Sequence, residues 1–199
     1  HDDANLDAID FNGATTTLVT GLSPNTEYTF NIWAYDEVGN KSSSTPVTIT
    51  TNEAHSLNQT SYLIENDDGA DVDSNTAPGS ANTAYTDVRV GQRLNVRLQL
   101  QNTGGDQTYD RSYKLQYEKG SDPDTWIDVE SGRAIIPSPG ESGANGDSIT
   151  TSKGSFNFYN WQNGVWRANT NLTGTYNLPK ETYTEFVFAV ETSGASEGE

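Results

Sequence analysis

The sequence predicts an all-β protein built as two consecutive β-sandwich modules. Three observations point there. Tyr, Thr, Val and Trp, the residues that suit a pleated, half-buried surface, recur along all 199 residues, whereas strong helix formers rarely cluster. Several stretches alternate apolar and polar side chains at the two-residue period of a strand. Gly, Pro, Asn and Asp interrupt those stretches at short intervals, as turns do. Only 32% of the residues are hydrophobic, a fraction that raises the question of disorder; the 10% aromatic content argues against it.

The elements follow in order. Residues 1–10 are acidic and weakly patterned. Thr15–Val19 predicts a short strand, and Gly21-Leu22-Ser23-Pro24-Asn25 a turn. From Tyr28 the alternation is clean. Tyr28, Phe30, Ile32 and Ala34 fall on one face, with Thr29, Asn31, Trp33 and Tyr35 on the other. Gly39-Asn40 marks the next turn, and Val47 and Ile49 a last strand. Residues 1–52 are read as one module, 53–60 as a linker and 61–199 as the second module.

In the second module Tyr62–Glu65 is a short strand. Leu94–Gln101 alternates over four pairs, which predicts Leu and Val toward a core and Arg and Gln toward solvent. Gly104-Gly105 closes it. Tyr113–Tyr117 and Trp126–Val129 follow as strands. After the Gly, Ser and Pro-rich stretch Ser131–Lys153, Glu185–Val190 is read as alternating again.

Two resemblances sharpen this reading. At Leu22-x-Pro24-x-Thr26-x-Tyr28 the chain resembles a fibronectin type III domain, whose E–F corner carries that pattern. The resemblance implies a tyrosine corner, in which the Tyr hydroxyl turns back onto upstream backbone. Ala34-Tyr35-Asp36-x-x-Gly39-Asn40-x-Ser42 resembles the F–G hairpin of the same family, so the likeness spans about residues 12–51. The family's first three strands, with a core Trp, have no room upstream. Residues 1–52 are therefore expected to be a second half-domain whose apolar face something else covers.

Residues 60–191 resemble a bacterial surface-protein repeat of the immunoglobulin-like type. The matching residues are Tyr62-x-Ile64-Glu65-Asn66-Asp67-Asp68-Gly69, Arg97-x-x-x-x-Asn102-Thr103-Gly104, and Tyr113-x-Leu115-x-Tyr117 followed by Trp126 and Glu185-x-x-Phe188. The repeat's final strands are expected after Val190, where the sequence turns to Ser, Gly, Ala and Glu. Such repeats imply a long secreted or cell-attached protein, so the expected location is extracellular or at the cell surface.

Charge and composition bound the function. The net charge is −17, which repels phosphate backbones and anionic lipid; neither nucleic acid nor a bare membrane is expected as partner. No apolar run approaches a membrane span. Without Cys there is no disulfide or thiolate chemistry. Without Met, His1 is read as following a processing site or lying inside a longer polypeptide. His1 and His55 are the only histidines and neither suggests a catalytic triad, so no enzyme is expected.

Two clusters carry candidate chemistry. Asp67, Asp68, Asp71 and Asp73, on a Gly-containing loop, are the residue type and density that supply several oxygens to calcium, although the spacing is not that of an EF-hand. The competing reading is a solvated loop whose carboxylates make turn hydrogen bonds. No other cofactor is implied. Tyr159, Trp161 and Trp166, interleaved with amides, are candidates for stacking on glycans or on a partner chain. The competing reading is a hairpin turning at Asn163-Gly164.

The expected function is a structural or interaction segment of a surface adhesin or extracellular filament, meeting other protein chains or copies of itself by β-strand complementation. The alternative is a carbohydrate-binding or spacer module of a secreted polysaccharide-degrading enzyme.

Overall fold

A computed structural model describes residues 18–31, 33, 38–69, 71–108, 110–154 and 160–193. Among them there is no helix and there are eleven strands, so the chain is all-β. It divides into two compact units, His1–Glu53 and Ala54–Glu199.

The first unit contains strands β1 (Glu27–Phe30) and β2 (Val47–Thr50), paired antiparallel. Asn25 turns the chain into β1 with φ 46°, a left-handed conformation that Asn tolerates. Its amide donates to the Asn52 carbonyl, and Thr51 Oγ1 donates to the Ser23 carbonyl at 2.6 Å, which ties the entry of β1 to the exit of β2. Tyr28 Oη accepts from the Ser23 amide at 2.8 Å. Directly opposed residues share a face of an antiparallel pair. Tyr28 faces Ile49 and Phe30 faces Val47, so one side of this sheet is wholly apolar. Thr29 and Thr48 meet on the other side through their hydroxyls. Of the strand expected over Thr15–Val19, Leu18 and Val19 are described and lie outside any strand. Ile32, Ala34 and Tyr35 of the expected longer strand lie outside the described residues.

The second unit holds β3 (Leu57–Asn66), β4 (Arg93–Asn102), β5 (Gln116–Lys119), β6 (Asp122–Asp128), β7 (Ile135–Pro137), β8 (Ser148–Ile149), β9 (Asn160–Trp161), β10 (Gly164–Arg167) and β11 (Thr182–Thr192). β3 takes residues 57–60 out of the segment read as linker. The main sheet runs β3-β4-β11-β10-β8, with β7 and β9 also on β11. β4 covers one edge of β11 along nearly its whole length. β9, β10 and β7 share the other edge, meeting Thr182–Tyr183, Phe186–Phe188 and Val190–Thr192 in turn.

β9 and β10 are both parallel to β11, so Asn163-Gly164 does not turn a hairpin. Gly164 serves a different purpose. A Cβ there would run into the Glu185 carbonyl of β11, so only glycine allows the backbones this close.

Both faces of the sheet are covered. On one, Leu94, Val96, Leu98 and Leu100 of β4 meet Phe186, Phe188 and Val190 of β11. Leu115, Val129 and the rings of Tyr113, Tyr117 and Tyr176 lie over them. Tyr113 stacks on Phe186 at 5.1 Å, and Tyr176 meets the same ring edge-on at 5.0 Å. Burying aliphatic and Phe side chains of this kind stabilises by roughly 1.5–3 kcal/mol each. On the other face Val187, Ala189, Ile149, Val72 and Ala168 pack around Trp166.

The second face corrects the expectation that Arg and Gln of residues 94–101 point to solvent. Asn95, Arg97 and Gln99 are buried there. Glu185–Val190 likewise does not alternate between core and water: nine consecutive residues of β11, Thr182–Val190, are buried. A central strand covered on both sides reads as a near-continuous apolar run, and Phe186–Val190 is one.

Candidate functional site

Burying Arg97 is possible because neighbouring strands bring carboxylates to it. Its Nε donates to Glu65 Oε2 of β3 at 3.0 Å, and its Nη1 donates to Glu185 Oε2 of β11 at 2.9 Å. The three side chains are at most 1% exposed. An unpaired buried charge is costly, so such groups persist only when matched. Lys153 Nζ completes the match, donating to Glu65 Oε1 at 2.7 Å. Two carboxylates thus face two cations.

The same groups fasten the covering loops to the sheet. Arg97 Nη2 donates to the Val72 carbonyl and Lys153 Nζ to the Asn75 carbonyl, each at 2.9 Å. Glu185 Oε1 accepts from the Gly154 amide and from Ser152 Oγ, both at 2.7 Å. Beside this cluster Trp166 Nε1 donates to Asn95 Oδ1 at 3.1 Å. The chain's own donors and acceptors fill the arrangement, which works as a clamp across three strands and two loops.

The acidic loop belongs to that clamp. Asp67 Oδ1 accepts from the Glu141 amide at 2.9 Å and from Ser142 Oγ at 2.8 Å. Asp68 Oδ2 accepts from Thr76 Oγ1 at 2.7 Å. Asp71 Oδ1 caps the Asp73 amide at 2.9 Å. Asp73 Oδ2 accepts from Thr150 Oγ1 at 2.5 Å and from the Thr150 amide at 2.9 Å. The four carboxylates therefore serve separate partners. Among the described residues no three His, Cys, Asp or Glu side chains gather to hold a metal. Calcium needs several oxygens converging on one point; here each Asp gives an oxygen to amides or hydroxyls, while Asp67 Oδ2 is buried without a hydrogen-bond partner. Burial pushes the Asp73 carboxyl up, but the Thr150 hydroxyl and amide, the Thr151 amide and Arg97 outweigh it and hold Asp73 below the usual carboxylate range.

The aromatic candidates separate. Trp166 is completely enclosed and presents no face to a glycan or partner. Trp161 is half-buried, tilted against Tyr183 at 5.3 Å, with its Nε1 donating to Asn163 Oδ1. Tyr159 lies outside the described residues. The exposed indole is Trp126 of β6, 63% accessible, a residue not among the aromatic candidates.

In the first unit the apolar side of the β1–β2 sheet stays open. Val47 is 59% and Ile49 47% exposed, while Tyr28 and Phe30 opposite them are half-buried. No family model matches the chain, and no curated protein or solved structure matches it either.

Proposed function

We propose that the chain is a structural and interaction segment of a secreted, modular cell-surface adhesin or filament protein, and that copies of it meet through the β1–β2 sheet. The observation that carries this reading is the apolar face formed by Tyr28, Phe30, Val47 and Ile49, of which Val47 and Ile49 are exposed to water. A sheet with one apolar side belongs in a layered sandwich, and a second layer is what that side is shaped to receive. A two-stranded sheet is also marginal alone and gains from further strands or a covering layer. The Tyr28 hydroxyl turned onto the Ser23 amide supports the fibronectin type III likeness, in which such modules act as spacers and contact surfaces. The double-covered, ion-clamped sheet of the second unit supports a load-bearing role.

Sedimentation velocity over a range of protein concentrations tests this. The chain is expected to associate as concentration rises, and Val47→Thr with Ile49→Thr to abolish association without unfolding the second unit. A monomer at every concentration contradicts the proposal.

One observation favours a second reading, glycan binding: Trp126 offers an exposed ring on the β5–β6 ribbon, and aromatic rings combine a stacking face with a polar edge. A glycan array on which Trp126→Ala matches the parent chain would remove it.

A further inference from the structure

Most basic residues of this acidic chain hold a carboxylate, lie over a ring or stand in water. Arg93, Arg97, Lys114, Arg133 and Lys153 each hold a carboxylate. Lys41 lies over the Trp33 ring. Arg89, Arg111 and Lys180 stand in water. Arg167 is half-buried and unpaired. Its Nε is buried with no hydrogen-bond partner, and no ion pair reaches its guanidinium among the described residues. Burial lowers its affinity for a proton, and no neighbouring carboxylate offsets that.

Its position explains the burial. Arg167 is opposite Phe188 in the β10–β11 pairing, so it continues the apolar side of the sheet set by Val165 and Phe186. Its guanidinium ends between two glycines on different loops. A Cβ on Gly146 would lie 3.5 Å from Nη1, and one on Gly174 would lie 2.9 Å from Nη2. Both sides of the guanidinium fork are thus bordered by residues without side chains. A partly desolvated cation without an anion is costly, and the two Nη groups, which are not among the buried unpartnered donors, are open to a group supplied from outside.

We propose that Arg167 is an acceptor site for a single carboxylate that this chain does not itself provide. The planar fork matches a carboxylate through two parallel N–H···O bonds. The net charge of −17 disfavours doubly charged anions more than a monoanion. The site belongs to the second unit and does not depend on the assembly reading. Its carboxylate comes either from a small organic acid or from an acidic side chain of a second copy.

Side-chain Nε–Hε NMR of the full chain tests it, with the Arg167 signal identified by its loss in Arg167→Lys. At constant ionic strength, acetate added to dilute protein is expected to move that signal saturably if a small acid is the source. Movement with protein concentration alone identifies a second copy. A signal that moves in neither series overturns the proposal. As a check, acetate is expected to raise the melting temperature of the parent and not of Arg167→Gln; an equal rise in both also overturns it.

Discussion

The β1–β2 sheet of the first unit and the β3–β4–β11 sheet of the second use the same alternating pattern to opposite ends. In β1 and β2 the polar residues Thr29 and Thr48 stay at the surface, and the apolar residues facing the other way are left partly open. In β4 the apolar residues pack into a core, and the polar ones, Asn95, Arg97 and Gln99, are buried as well. Alternation reports that a strand has two unlike faces; it does not report whether water touches either. What separates the two sheets is what neighbouring strands bring. β3 and β11 deliver Glu65 and Glu185 to Arg97, and two loops close over them. Nothing comparable lies over Val47 and Ile49 among the described residues.

The sharpest way to break this contrast is Arg97→Met. It would leave Glu65 and Glu185 buried with only Lys153 to answer both. Removing one partner from a buried ion cluster costs about 3–5 kcal/mol, and a urea titration of the second unit would show the midpoint fall accordingly. If Arg97→Met costs no more than a surface substitution, the second face is wetter than described. Next comes Gly164→Ala. The new methyl meets the β11 backbone, which cannot swing aside as a side chain can, so a loss of about 1–3 kcal/mol is expected in the same titration.

The smallest effect concerns acid. Asp73 is held below its ordinary range, mainly by Thr150 against the opposing pull of burial. A carboxyl whose folded-state pKa is depressed contributes stability above its unfolded pKa and loses it as pH falls through the folded one. Asp73→Asn should therefore be less stable than the parent at neutral pH, with the gap closing below about pH 4, the unperturbed Asp value. Urea midpoints across that range would check it; a gap that widens in acid would reverse the sign.

Much of the fold was legible from the sequence. The strand residues of β1, β2 and β4 follow from alternation, and the turn at Pro24-Asn25 follows from its residues. The clamp was harder to see. Arg97 reads as a surface residue until Glu65 and Glu185 are known to flank it, and register between strands distant in sequence is not written locally. One signal was available: Phe186–Val190 is apolar at every position, which a strand with one wet face does not need. The acidic loop is hard to read for a related reason. Asp67, Asp68, Asp71 and Asp73 are as dense as metal ligands, but density does not say whether the oxygens converge or disperse to Thr76, Thr150 and the Glu141 amide. Asn163-Gly164 carried a strong hairpin signal, and long-range parallel pairing of β9 and β10 with β11 overrode it.

Amide hydrogen exchange across the whole chain puts the contrast to its most direct test. β4 and β11 should exchange only on global unfolding of their unit. β1 and β2 should exchange orders of magnitude faster in dilute protein and slow down as concentration rises and the open face is covered. Equal, concentration-independent protection of all four strands would contradict the account.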